Sequence, residues 1–294
     1  MSPQLRITSS TSVVGVIGDP IIHSLSPVIH NAGFESLGID WIYVAFLVKK
    51  GHAAGALDAI RNLGLRGLSV TMPHKTEVST LVDRVSDAAR ALESVNTVEV
   101  ANDGQLVGHS TDGEGLIASL RENEVEVADR KVVILGAGGA ARSLIDAFHR
   151  HGTRQISIVN RTLAAAQSAT RLAPSTAEAI SVSDQPAVAQ AIRDCDIIVN
   201  ATSVGMAGGN RIDVTPTSGD LPLPRDLVES RHTLVDLVYH PIETEFLRLG
   251  RELGARTVDG LGMLVHQAAL QQAIWTGYRP DVANMYQAAL QALS

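Results

Sequence analysis

One cysteine in 294 residues, Cys195, excludes any internal disulfide and fits a reducing compartment. Its setting, DCDIIVNAT, reads as a buried strand, so the thiol is expected in the core and not at a reacting centre. Positive charge is not in excess either. The 24 Lys and Arg stand against 31 Asp and Glu, for a net charge of −7, and no basic patch marks a nucleic-acid surface. No apolar run is long enough to cross a bilayer. The opening residues, MSPQLRITSSTS, lack the apolar core of a secretion signal. A cytoplasmic protein with no membrane and no nucleic-acid partner is expected. Internal repeats, low-complexity tracts and zinc-like ligand spacings are absent too, so no metal is expected. His149 and His151, two apart at a helix end, read as solvated caps.

What is present is an ordinary globular composition, 45% hydrophobic and 19% charged, in a chain long enough for two domains. Short apolar runs alternate with helical patterns in the first third: strands at 13–18, 41–48 and 67–72, and helices at 26–38, at 51–63 and from about His74. Such alternation predicts a parallel α/β sheet. NTVEV and QLVGHS, joined through Asp103-Gly104, predict a hairpin added to it. A helix at 114–121 leads into the charged segment ENEVEVADRK, expected on the surface. A second α/β pattern runs through VVILG, ISIVN, DIIVNAT, TLVDLVY and ARTVDG. Residues 206–224, rich in Gly, Pro, Thr and Asp, are expected to form a mobile loop. From Leu261 the chain reads as helix, expected to return to the first domain.

The densest signal is LGAGGAARSL, set between the strand KVVIL and a helix that stops at Gly152. A glycine-rich turn between strand and helix cradles a dinucleotide. Gly136 makes the tight turn, Gly138 lets a pyrophosphate approach the backbone, and Ala141 permits close packing of helix on strand. Ala137, Gly139 and Ala140 complete the cradle, where free N–H groups and the positive end of the helix face the phosphates. The next strand ends in Asn160-Arg161-Thr162, where NAD-binding cradles usually carry an acidic residue for the ribose hydroxyl. Arg161 can instead pair with a 2′-phosphate through its planar fork, which favours NADP and leaves NAD as an alternative.

Taken together, HSLSP, SVTMPHK, SVNT, STDG, GAGGAAR, NRT, NATSVGM and DGLGMLVHQAA, in this order, resemble the shikimate dehydrogenase family over nearly the whole chain. The resemblance implies an N-terminal α/β substrate-binding domain with a mainly parallel sheet, formed by 1–112 and 260–294. It also implies a Rossmann-type NADP-binding domain over 113–259, with a cleft between the two. The implied reaction is reversible, NADP-dependent reduction of 3-dehydroshikimate to shikimate, on the route to chorismate and the aromatic amino acids. The implied partner is that small molecule, and the implied assembly a monomer or homodimer.

The same resemblance assigns roles. Reduction of a ring ketone needs a hydride and a proton for the developing alkoxide. Lys75 is implied as acid/base, since its ammonium can hydrogen-bond the carbonyl oxygen, with Asp112 holding it. A lysine ordinarily titrates near ~10.4 and a carboxylate neighbour favours its charged form. Proton transfer at neutral pH therefore needs either burial or release through Asp112 and water. Ser24 and Ser26 resemble the pair that holds the substrate carboxylate, although Ser26-Pro27 also reads as a helix start. Thr71, Asn96 and Gln267 are implied to bind ring hydroxyls, and Tyr239 to stand near the carboxylate; by residue type alone Gln267 would be an exposed helix position. Thr202 and Gly260 join the implied cofactor residues. Ser69 and Ser110 stand where the family commonly has Asn, so quinate or an aminoshikimate is the alternative substrate. Ala164 and Ala165 stand where strongly NADP-committed members carry another Arg, which predicts modest discrimination against NAD.

Overall fold

A computed structural model describes residues 7–206 and 221–293, and the chain divides into two compact units, 1–111 with 267–294 and 112–266. Residues 207–220 of the expected loop lie outside the described residues.

The first unit begins β1 (Ser12–Gly18), α1 (Ser26–Leu37), β2 (Trp41–Leu47), α2 (Ala53–Leu63) and β3 (Gly67–Val70). Glycines in the left-handed region end both helices, Gly38 at φ 65° and Gly64 at φ 67°, where a side chain would be strained. Next come α3 (Lys75–Leu81), β4 (Arg84–Val85), α4 (Asp87–Leu92), β5 (Thr97–Val100) and β6 (Leu106–His109). The six strands lie in the order β2-β1-β3-β5-β6-β4. β1 pairs in parallel with β2 and β3, whereas β5 runs antiparallel to β3 and β6, forming the expected hairpin with Gly104 at φ 79°. Apolar residues fill both faces of this sheet. Ile17, Leu68 and Val70 pack with Leu57, Ile60 and Val78, while Val14 and Val16 pack with Phe34 and Tyr43.

The second unit opens with α5 (Asp112–Glu122), then β7 (Lys131–Leu135), α6 (Gly139–Arg150), β8 (Gln155–Asn160), α7 (Leu163–Ala169) and β9 (Ala177–Ser181). It continues through α8 (Gln185–Asp194), β10 (Ile197–Asn200), β11 (Thr233–Asp236), α9 (Glu245–Glu252) and β12 (Arg256–Val258). Its strands are all parallel, in the order β9-β8-β7-β10-β11-β12. That is the doubly wound 3-2-1-4-5-6 arrangement of a Rossmann-type sheet. Both faces are covered, which is why its strands read as continuous apolar runs. Along β7, Val132 and Ile134 face the cluster built on Leu144, Ile145 and Phe148 of α6, while Val133 and Leu135 face the one built on Phe246 and Leu247 of α9. Full burial of each such side chain contributes roughly 1.5–3 kcal/mol.

Two expectations are corrected. The segment ENEVEVADRK is not wholly at the surface, because Val125 and Val127 are buried in the core with Leu120 and Phe148. The return to the first unit comes at Gln267 and not at 260, inside α10 (Gly260–Thr276), and Asp112 falls in the second unit. The reason is packing at the start of α10. A Cβ on Gly262 would lie 2.3 Å from Ser119 Oγ, Met263 joins the second unit's core, and His266 Nε2 stands 2.7 Å from Glu122. The rest of α10 and α11 (Val282–Leu293) belong to the first unit.

Candidate active site

In the first unit the turn after β1 carries Ser24, whose Oγ accepts the Ser26 N–H at 3.3 Å, and Ser26 is the first residue of α1. β3 continues its pairing through Thr71, whose N–H donates to Ile17 O at 3.0 Å. A turn closed by the His74 N–H on Thr71 O then places Lys75 at the start of α3. The strand beside β3 brings Asn96 next to both. Asn96 O accepts from Val70 N at 2.7 Å, and Lys75 O accepts from Val95 N at 3.0 Å.

Thr71, Lys75 and Asn96 thus share one end of the sheet. The Asn96 amide is held firmly: Oδ1 accepts from Thr111 N–H at 2.9 Å and from Thr97 Oγ1 at 2.7 Å. Gln267 is only 8% exposed, so the reading as an exposed position by residue type does not hold. The helix around it is mostly apolar, and Gln267, Gln271 and Gln272 are the polar side chains it buries.

In the second unit Asp112 opens α5. Gly136 adopts φ 109°, and an added Cβ would lie 3.0 Å from Ala201 O, so both conformation and space require glycine. Gly138 and Gly139 differ. Gly138 has ordinary extended backbone, and among the described residues a Cβ at either position would meet nothing within 4 Å. Their lack of side chains therefore answers no internal contact and leaves the backbone open to a close-lying group, as a pyrophosphate cradle requires. Ala137 and Ala140 flank them, and α6 starts without a side-chain cap while Ala141 is fully buried.

At the end of β8, Asn160 Nδ2 donates to Thr162 O at 2.9 Å, shaping a turn on which Arg161 is exposed. Thr202 Oγ1 donates to Asn200 Oδ1 at 2.6 Å. Tyr239 follows β11 and burial pushes its phenol up. Gly260 packs tightly, since a Cβ there would lie 2.5 Å from Leu237 O.

Some residues of these regions were not anticipated. The Thr202 turn rests on Asn200, whose Nδ2 donates to Asp236 Oδ1 at 2.9 Å, and Thr244 Oγ1 donates to Asp236 Oδ2 at 2.6 Å. Burial pushes the Asp236 carboxyl up, against these hydrogen bonds. The strand-end polar residues in NATSVGM and TLVDLVY are the signal for this network. His30, Tyr43, Gln271 and Gln272, buried in the first unit, were also missed; Gln271 lies one helical turn beyond Gln267. His151 is the C-cap residue of α6 and His149 lies in its last turn, as expected, but both imidazoles are half-buried and have side-chain neighbours. His149 Nδ1 stands 3.1 Å from Thr176 Oγ1, and His151 Nε2 3.1 Å from Glu114. Cys195 is buried, with burial pushing its thiol up to about 12. Among the described residues no group of three or more His, Cys, Asp or Glu could hold a metal, and no helix is long and apolar enough to cross a membrane.

A Rossmann-type unit joined to a second α/β unit, with a lysine and a buried polar set at the end of its sheet, is the architecture of a two-domain dehydrogenase. Family models agree in chain order. The shikimate dehydrogenase substrate binding domain matches residues 16–98, shikimate / quinate 5-dehydrogenase 118–240, and the shikimate 5′-dehydrogenase C-terminal domain 260–290. A shikimate dehydrogenase (NADP(+)) of Geobacter metallireducens is 40% identical over 294 residues, covering 98% of this chain and 99% of its own.

Solved structures agree as well. Shikimate 5-dehydrogenase from Listeria monocytogenes in complex with shikimate and NAD is 35% identical, with a TM-score of 0.89 over 96% of this chain and 97% of its own. The enzyme from Thermus thermophilus in complex with NADP(H) and shikimate is 32% identical, with a TM-score of 0.84 over 96% and 100%. The chain belongs to the shikimate dehydrogenase family.

Proposed function

We propose that this protein catalyses the reversible, NADP-dependent interconversion of 3-dehydroshikimate and shikimate, as a cytoplasmic monomer or homodimer. The observation that carries the reading is the 40% identity to a shikimate dehydrogenase (NADP(+)) over 98% of the chain.

When bound, the nicotinamide supplies the hydride for the ring carbonyl carbon. The chain supplies position and the proton. Lys75 Nζ hydrogen-bonds the carbonyl oxygen and gives it a proton as negative charge develops there, and takes the proton back in the oxidation direction. Asp112 is its carboxylate partner and orients the ammonium. Ser24 and Ser26 hold the substrate carboxylate with neutral hydroxyls at the start of α1, where the helix end also favours an anion; Tyr239 assists them. Thr71, Asn96 and Gln267 bind the ring hydroxyls.

The cofactor is assigned to the second unit. The turn 136–140 takes the pyrophosphate on its open backbone. Asn160, Arg161 and Thr162 take the adenosine end, with Arg161 pairing the 2′-phosphate. Thr202 and Gly260 complete that side. Initial rates with shikimate and with quinate, each with NADP and with NAD, test the reading. Shikimate with NADP is expected to be the fastest pair, and faster turnover of quinate or with NAD would overturn that assignment.

A further inference from the structure

A run of buried amides and hydroxyls lies in the first unit behind the residues assigned to the substrate. Ser69 Oγ donates to Gln271 Oε1 at 2.6 Å, across 202 positions of sequence. The same oxygen stands 3.1 Å from His30 Nε2. Gln271 Nε2 donates to the Asn96 carbonyl at 3.3 Å. On the far side of the imidazole, Gln272 Nε2 stands 3.2 Å from His30 Nδ1 and 2.9 Å from the His30 carbonyl. Every member is buried, Ser69 being 6% exposed and Gln271 2%.

These contacts set the direction of each hydrogen bond. An amide nitrogen only donates, so His30 Nδ1 accepts from Gln272, and the ring proton is assigned by its partners to Nε2. That proton goes to Gln271 Oε1, which only accepts. Burial holds the His30 pKa at about 3, so the ring stays neutral through the working range. The Ser69 proton is thereby committed to Gln271, and the Ser69 oxygen has only lone pairs left to offer.

Beside it is a donor in the opposite condition. The Tyr43 hydroxyl is buried and has no partner in hydrogen-bonding geometry. The Ser69 and Ser26 hydroxyls lie near enough to temper the upward push of burial on its titration, but among the described residues neither stands in hydrogen-bonding geometry to it. The ring is fixed by stacking on His30, with centroids 4.0 Å apart and planes 3° apart. Buried polar groups normally find partners, so an unpartnered hydroxyl next to Ser26 points to a group that arrives with the ligand.

We propose that Gln271 is a positioning residue for substrate selectivity: it fixes Ser69 as an acceptor next to the Tyr43 donor, and the two together read one ring hydroxyl of the substrate. Ser69 accepts that hydroxyl's proton and Tyr43 donates to its oxygen. The proposal rests on the ring-acid substrate assigned above. A site that pairs a substrate hydroxyl rejects the analogue lacking it, because its own buried groups are then left unpaired.

The test is kcat/KM at saturating NADP for shikimate and for each monodeoxy analogue that keeps the hydroxyl to be oxidised. It compares wild type, Ser69→Ala, Gln271→Met, their double variant and Tyr43→Phe. Wild type is expected to discriminate against one analogue by about 100-fold or more. Ser69→Ala, Gln271→Met and Tyr43→Phe should each shrink that ratio by about tenfold, the fold-change of one lost hydrogen bond. The double variant should lose no more than Ser69→Ala alone, and the KM for NADP should not move.

Losses that multiply in the double variant, or a KM for NADP that rises in step, would show a merely structural role and overturn the proposal. Gln271→Glu keeps an acceptor for the Ser69 proton and should retain the discrimination; if Gln271→Met does not fold, loss of the ratio in Gln271→Glu overturns the proposal instead. Failure of wild type to oxidise shikimate would overturn the ring-acid assignment itself. Shikimate turnover with additive variants would overturn only the role of Gln271.

Discussion

Both units bury a polar network, Ser69–Gln271–His30 in the first and Asn200–Asp236–Thr244 in the second, but they differ in how the residues assigned to a ligand are presented. The first buries amides, hydroxyls and an imidazole against one another, with Ser69, Gln271 and His30 each holding the next. The second keeps its candidate site open: Gly138 and Gly139 are exposed backbone, α6 has no side-chain cap, and Arg161 stands in solvent. The difference fits the ligands proposed for each. A ring acid with several hydroxyls is told from its relatives only by donors and acceptors of set direction, which requires rigid, mutually bonded side chains. A pyrophosphate needs backbone N–H groups and room, and a 2′-phosphate needs one mobile cation.

That contrast can be broken or sharpened by experiment. The largest effect is expected at Lys75. Lys75→Ala should lower turnover by about 100-fold or more, the contribution of a general acid/base, while a calorimetric titration still detects shikimate binding. Near-normal turnover would remove Lys75 from the chemistry.

Next comes the buried imidazole. With a folded pKa of about 3 against 6.5 unfolded, His30 is neutral in the native state. The unfolded chain takes up the proton first, so the stability His30 contributes is present above pH 6.5 and is lost as pH falls toward about 3. Between pH 7 and pH 5 the loss is about 2 kcal/mol. Denaturant unfolding at the two pH values should show this difference in wild type and less of it in His30→Gln. An equal slope in the two proteins would show that His30 does not carry it.

Smaller effects fall on binding. Arg161→Ala should raise the KM for NADP about tenfold, the worth of one charge-assisted hydrogen bond, and leave that for NAD nearly unchanged. Equal changes would mean that Arg161 does not read the 2′-phosphate. Smaller still, Ser24→Ala should raise the KM for shikimate about fivefold, in the range of a neutral hydrogen bond.

The contrast between the units also explains what could be read in advance. The turn from Gly136 to Ala141 is local, its glycines, strand and helix all lying within some twenty residues, so the doubly wound unit was visible in the chain. Lys75 and Asn96 were reached through short motifs whose neighbours along the chain are also neighbours in space. The Ser69–Gln271 pair was not visible, because its members are 202 positions apart and only the packing of α10 against the β3 end joins them. Val125 and Val127 were misread because charged neighbours outnumber them in a short window, although both side chains point into the core. Gln267 looks exposed by type, and burial of the mostly apolar helix around it decides otherwise.

Titrating shikimate and NADP, each alone, into Ser24→Ala and Arg161→Ala tests the division of labour between the units most directly. The account predicts that Ser24→Ala weakens shikimate only and Arg161→Ala weakens NADP only. Loss of NADP affinity in Ser24→Ala, or of shikimate affinity in Arg161→Ala, would contradict it.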